Sequence, residues 1–358
     1  MLHLEIGRAS LMYTYGQEFA QFSFFYLLFH ENSIDLVPGL EGREQSKYYN
    51  MEKRGFKVGV CNHIYQRTRN RFNIFYDQCD FLSYYSIFGV MAVRYNVQVL
   101  GLCIMIDHLH MLLRTKDRRT LSGFVSNVTS VFVRQYNDDI GRTGSLFEER
   151  FGSALKSDRK KLISAIIYIG NNPVEKRICA KAEEYRWNFI AYMSSSFPFS
   201  VKINRKKARN ILRKALRIVD WHQSQGKYLT SSLISELMRE MTSEEKDQLV
   251  DHIIVKYNVI DYDSLLKLFG SYEQMLTAMH STTGSEYDLD EYIDRLSDSV
   301  YQNMILCLRN RFGDKVRKVT VLSSKEKFEL ADYLHLHTSA HMKQIFKFLH
   351  IEARTSAR

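Results

Sequence analysis

The chain has 358 residues, 45% hydrophobic and 25% charged, with only 3 prolines and 17 glycines. That is globular composition for about two domains, and it excludes collagen-like, proline-rich and low-complexity disordered chains. Fifty Lys and Arg against 40 Asp and Glu leave a net charge of +10, a surplus that points to a polyanionic partner. Five cysteines (Cys61, Cys79, Cys103, Cys179 and Cys307), odd in number and without a CxxC, argue against a disulfide framework or a cysteine zinc site and for a reducing compartment.

The charge is unevenly spread: residues 1–50 carry −3, residues 51–195 carry +9 and residues 196–358 carry +4. The apolar run Phe22–Phe29 is too short for a bilayer, which needs roughly 20 residues. No basic stretch immediately precedes it, so it is a poor signal peptide, and the chain is expected to be cytoplasmic, with no membrane partner. Met51 is followed by Glu-Lys-Arg and a strand pattern. Two readings stand for residues 1–50: sequence upstream of a natural start at Met51, or an N-terminal extension of little structure.

Phe56 to Tyr65 alternates as a half-buried strand does. Asp80 precedes an aromatic, helix-like stretch to about Arg94, and Gln98 to Ile106 is a dense apolar run of the kind found in a central buried strand. His108 to Arg114 continues as a second strand. Thr120 to Tyr136 has helical spacing, with Leu121, Phe124, Val128, Val131 and Phe132 on one face. After a turn at Gly141–Gly144, Ser157 or Asp158 can cap a helix bearing Leu162, Ile163, Ile166 and Ile167, which Asn171-Asn172-Pro173 is expected to stop. Strand and helix mixed in this way predict a compact α+β domain over residues 51–195.

Beyond it the periodicity is helical. Ile203 to Asp220 reads as a basic amphipathic helix within a helical region, 196–322, and Thr242-Ser243-Glu244-Glu245 as a helix start. In residues 323–358, Ser323 or Ser324 can cap a helix to about Leu336, and Thr338 or Ser339 a second one to about His350. Two short helices joined by a tight turn suit a helix-turn-helix, or a plain helical hairpin.

The sharpest chemical feature is His108-Leu109-His110. On a strand, residues i and i+2 share a face, about 7 Å apart, so two imidazoles can converge on one metal while Leu109 faces the core. His335-Leu336-His337 has the same spelling, but lies on a predicted helix, where i and i+2 sit about 200° apart. That pair reads as surface and packing. On the capped helix Tyr168 and Asn172 lie one turn apart on one face. A phenol there can be a nucleophile, and a carboxamide oxygen can complete a metal's coordination.

Together these residues resemble the single-tyrosine HUH transposases of small insertion sequences (the IS200-like superfamily), and among them the REP-associated tyrosine transposases. The resemblance covers about Gly55 to Met193. It rests on His108-Leu109-His110, on Tyr168-Ile169 with Asn172-Pro173, on Phe147-Glu148-Glu149-Arg150-Phe151 and on Tyr185-Arg186-Trp187. Ile106-Asp107 stands where the family usually has Pro-Asn, and Asn188-Phe189 where Ser-Ser is common. The resemblance implies an antiparallel, ferredoxin-like catalytic sheet with packed helices, followed by an all-helical C-terminal region with a helix-turn-helix-like end. It implies that His108 and His110, with Asn172 as third ligand, hold Mg²⁺ or Mn²⁺, the latter better suited to imidazole. Tyr168 would then attack a DNA phosphodiester, giving a 5′-phosphotyrosine and a free 3′-OH. Insertion-sequence members act as homodimers, REP-associated members also as monomers.

The implied partner is single-stranded or hairpin DNA. Arg67, Arg69, Arg71, Arg142, Arg150, Lys156, Arg159, Lys160 and Lys161 are candidate phosphate contacts, and Tyr65, Phe72 and Phe75 candidate base-stacking residues. Glu148 could help the Tyr168 phenol lose its proton, or be a solvated salt-bridge residue. Two other functions compete with the strand transferase. One is a DNA-binding regulator that keeps the site without mobilising DNA. The other is an unrelated hydrolase with zinc on His108 and His110, which needs a further His or carboxylate.

Overall fold

The computed structural model describes residues 55–281, 296–313 and 316–352. The two readings of residues 1–50, and the question of Met51, lie outside the described residues. Four strands, β1 (Cys61–Arg67), β2 (Gln98–Ile104), β3 (His108–Arg114) and β4 (Gly152–Lys156), form one antiparallel sheet in the order β2-β3-β1-β4. Helices α1 (Gln78–Tyr95), α2 (Arg118–Ile140) and α3 (Arg159–Glu175) connect or follow them. The sheet has two differently dressed faces. Gln66 accepts a hydrogen bond from Thr129 of α2 on one, while His63, three residues earlier in β1 and so on the opposite face, meets Tyr168 of α3 on the other. This antiparallel α+β domain is the fold class expected.

Local chemistry sets the helix starts. Asp77 and Asp80 form a reciprocal capping box on α1, Asp117 caps α2 and Asp158 caps α3. α1 ends on Asn96 and α2 on Gly141, both left-handed.

Several expected boundaries move. The first strand starts at Cys61, because Gly59 takes a positive φ of 78° and turns the chain before it. β2 is an edge strand, not a central one: its apolar run reports burial on both faces, which later segments provide. Cys103 bridges to Asn188, Val99 bridges to Ile260, and the Asp261 amide donates to Val99 O at 2.8 Å. α3 runs through Pro173 to Glu175. Proline withholds only its own N–H, and tertiary bonds hold this turn helical: Asn171 donates to Met279 O at 2.8 Å, and Asn172 is bonded to two histidines.

Helices α4 (Asn210–Ser224), α5 (Ser231–Met238), α6 (Ser243–Tyr257), α7 (Tyr262–Phe269) and α8 (Tyr272–Ser281) follow. The basic helix begins at Asn210 rather than Ile203. Asn204 Oδ1 instead accepts the amides of Lys206 and Lys207, the local competition that keeps asparagine out of helices. Leu212, Ala215, Leu216 and Val219 of α4 and Leu249, Val250, Ile253 and Ile254 of α6 are buried in the same hydrophobic core as the sheet. Gly89 of α1 lets Tyr257 of α6 approach: a Cβ there would lie 2.3 Å from Tyr257 O.

A second core joins Tyr76 and Ile106 to α9 (Val300–Phe312), α10 (Ser324–His337) and α11 (Met342–Leu349). α10 starts at its Ser323 cap as expected. The cap of α11 is His341 rather than Thr338 or Ser339, because Thr338 closes α10, its hydroxyl donating to Leu334 O at 2.6 Å. The second helix of the pair is turned inward: Gln344, Ile345, Phe348 and Leu349 are buried. Tyr76 OH donates to Phe348 O at 2.5 Å and His350 Nε2 lies 2.6 Å from Asn73 O. Arg317, buried, pairs with Asp80 of α1 and Asp139 of α2 and lies over the Tyr136 ring.

Among the described residues no helix is long and apolar enough to cross a membrane. Cys61, Cys79 and Cys103 are buried, and Cys179 and Cys307 half-buried.

Candidate active site

β3 presents His108 and His110 to the α3 side of the sheet, and Leu109, fully buried, to the other. Tyr168 and Asn172, one turn apart on α3, meet them there. His108 Nε2 lies 3.0 Å from Asn172 Oδ1, and Asn172 Nδ2 lies 3.1 Å from His110 Nε2. The His110 and Tyr168 ring centroids are 5.4 Å apart, nearly perpendicular. The four residues predicted from sequence are therefore one cluster.

Two neighbours that the sequence did not single out as site residues complete it. Asp107 Oδ1 lies 2.6 Å from His108 Nδ1. His63 of β1 puts Nε2 3.1 Å from His110 Nδ1, with its ring 5.8 Å from that of Tyr168. A single histidine in a strand carries no signal. The one clue available is that β1 alternation puts His63 on the face of Tyr65, which pairs with His110 once β1 is known to lie beside β3. His63 and His110 are 0% exposed and Tyr168 4%, so the cluster is closed to solvent.

Burial acts to raise the Asp107 carboxyl, but His108 beside it, with Lys347 and Lys176, holds it below the usual carboxylate range. Burial and then Asp107 push the Asp298 carboxyl up to about 6, which places the start of the C-terminal segment within electrostatic reach of the site. α3 is tied down along its length. Asn188 Nδ2 donates to Gly170 O at 2.8 Å, and the Asp298 amide to Lys176 O at 3.0 Å.

The donor set fits a divalent cation. Both histidine Nε2 atoms lie within hydrogen-bond reach of the same Asn172 carboxamide, so two imidazoles and one amide oxygen can turn to a common point. Among the described residues no group of three or more His, Cys, Asp or Glu could hold a metal, so a third protein donor here would have to be of another type, as the Asn172 carboxamide is.

The basic residues predicted from sequence divide. Arg69, Arg150, Arg159, Lys160 and Lys161 are exposed. Arg67 is half-buried over the Tyr65 ring, and Arg71 is half-buried with φ 54°. Arg142 is spent on its own loop, donating to Asn137 Oδ1 and to the carbonyls of Gly144 and Ser145. Lys156 is 3% exposed at the end of β4, on the His63 face, and is not part of the surface. Of the stacking candidates, Phe75 is core, Phe72 stacks on His350 at 4.6 Å, and Tyr65 lies against Gly152, where a Cβ would collide with its ring.

The flanking motifs act structurally. Tyr185 OH donates to Ile104 O at 2.8 Å, Trp187 stacks on Phe81 at 4.5 Å, and Arg186 pairs with Asp247 and Asp251. Phe147 is buried against Phe132 and bridges Thr68, and β4 begins only at Gly152. Glu148 is exposed.

No curated protein matches the chain. Among solved structures it is similar to a REP-associated tyrosine transposase bound to a REP hairpin, at 15% identity, covering 40% of this chain and 84% of that one, with a TM-score of 0.34. The family model "Transposase IS200 like" matches residues 57–172, a span that runs from just before β1 to Asn172 and takes in His63, His108, His110 and Tyr168. Over residues 57–172, about a third of its length, the chain is thus similar to the IS200-like transposases.

Proposed function

We propose that the chain cleaves and rejoins single-stranded DNA at hairpins, with Tyr168 as nucleophile. The observation that carries this is the convergence of Tyr168, His108, His110 and Asn172 in one cluster inside the family's span. Mg²⁺ or Mn²⁺ held by His108, His110 and Asn172 would supply Lewis acidity toward the scissile phosphate. The Tyr168 oxygen forms a bond to phosphorus while the P–O3′ bond breaks, leaving a 5′-phosphotyrosine and a 3′-OH that takes up the proton the phenol loses. The link conserves the phosphodiester's energy, so the reverse attack by a 3′-OH rejoins strands without a nucleotide cofactor. Asp107 holds His108 by its outer nitrogen, so that Nε2, which donates to Asn172 Oδ1 here, would face the metal once its proton leaves. Exposed Arg69, Arg150, Lys160 and Lys161 give the DNA backbone its positive surface.

The burial of Tyr168 favours a second reading, a DNA-binding regulator that keeps the site closed and mobilises nothing. The test is a labelled hairpin oligonucleotide incubated with the protein and Mg²⁺ or Mn²⁺, then run on a denaturing gel. A covalent adduct, lost in Tyr168→Phe, is expected. Hydrolysis that survives Tyr168→Phe overturns the proposal, and binding without cleavage selects the regulator.

A further inference from the structure

We infer that His63 is a positioning residue that presets His110 for metal ligation, an assignment that rests on the function proposed above. Asn172 Nδ2 has only hydrogens to offer, so at 3.1 Å His110 Nε2 accepts from it. A neutral His110 then carries its proton on Nδ1, and the group facing that proton at 3.1 Å is His63 Nε2. His63 accepts, and its own proton sits on Nδ1. This is the tautomer that ligation through Nε2 requires, because the metal takes the Nε2 lone pair and the outer N–H must find an acceptor. His63 and Asp107 thus each accept from the outer nitrogen of a histidine; His108 differs in that its Nε2, facing Asn172 Oδ1, carries a proton that must leave before ligation. The two ligands are held from outside by different chemistry, a neutral imidazole on one side and a carboxylate on the other.

Position makes His63 suited to this. It is 0% exposed, fixed in the backbone ladder of β1 between β3 and β4, and its ring lies 5.2 Å from His110 and 5.8 Å from Tyr168. A residue wedged between ligand and nucleophile fixes the angle of both rings. His63→Phe keeps a ring of similar size but accepts no hydrogen bond, whereas His63→Gln can accept one.

The experiment is calorimetric titration of the purified full chain with Mn²⁺, with no DNA present, on wild type, His63→Phe, His63→Leu, His63→Gln and His108→Ala. Loss of an outer-shell partner weakens metal binding by about 10–100-fold. That loss is expected in the Phe and Leu variants at unchanged far-UV circular dichroism, with most of the affinity restored in Gln. Equal affinity in wild type and all three His63 variants overturns the inference alone. Absence of Mn²⁺ binding by wild type, or binding untouched by His108→Ala, overturns the metal reading and this inference with it. Nitrogen-15 spectra of the metal-free wild type give a check that needs no variant. His110 protonated on Nδ1 and His63 unprotonated on Nε2 is expected, and a proton on His63 Nε2 refutes the assignment.

Discussion

Replacing Arg317 by methionine tests how the C-terminal helices are attached. Arg317 is 3% exposed and stands between Asp80, 0% exposed, and Asp139, with its guanidinium 5.5 Å from the Tyr136 ring. Methionine fills most of the volume but leaves two carboxylates without a counter-charge, a loss of about 3–5 kcal/mol for a buried pair broken on one side. The loss is capped by the free energy of detaching α9–α11, since a detached segment no longer carries the cost. Its pH dependence has a definite sign. Burial raises Asp80 above its ordinary 3.8 against the pull of Arg317, and burial and then Asp80 push Asp77 up to about 7. Between 3.8 and the raised value the native state holds protons that the unfolded chain has released, so stability falls as pH rises through that window. Without Arg317 the window extends upward, and the variant suffers more at pH 8 than at pH 5. Urea denaturation at both values, with hydrogen exchange read over residues 324–349, measures it. A loss below about 1 kcal/mol, or one equal at the two pH values, refutes the reasoning. Adding Asp80→Asn removes one stranded charge and is expected to recover much of the stability.

Gly89→Ala places a methyl 2.3 Å from Tyr257 O and should cost about 1–3 kcal/mol by forcing α1 and α6 apart; an unchanged melting temperature would show that this contact yields freely. Burial pushes His350 down to about 3 as it donates to Asn73 O, so it stays neutral when folded while its unfolded counterpart charges below 6.5. Stability is therefore lost as pH falls from 6.5 toward 3, and His350→Gln should flatten melting temperature against pH over that range. Tyr168→Phe should abolish the covalent adduct while leaving hairpin affinity in a gel-shift assay within about threefold, because one buried hydroxyl adds little to backbone binding.

Period-2 alternation made His108 and His110 legible as a pair, and the four-residue spacing did the same for Tyr168 and Asn172. What joined them was topology: β3 lies under α3, and no local pattern states that. His63 was illegible for the same reason, since its partner is on another strand and the pairing, not the spelling, brings them together. Asn172 came through although the helix was expected to end there, because its side chain is held by the two histidines and the backbone follows. The apolar β2 run announced burial and misled on strand order, because chain far downstream covers its edge. Lys156 and Arg317 show the limit of reading charge as surface. Both are buried, and only the fold reveals it.

The bonds that fasten α3 have a stoichiometric consequence. Gly170, Asn171 and Lys176 are each tied to other parts of the same chain, so Tyr168 faces histidines of its own polypeptide. On the proposed chemistry one chain then has one nucleophile and holds one DNA end at a time. Releasing a segment takes two cuts. It requires either two chains seated on the same DNA or two successive turnovers by one, and burst size in a single-turnover experiment counts which.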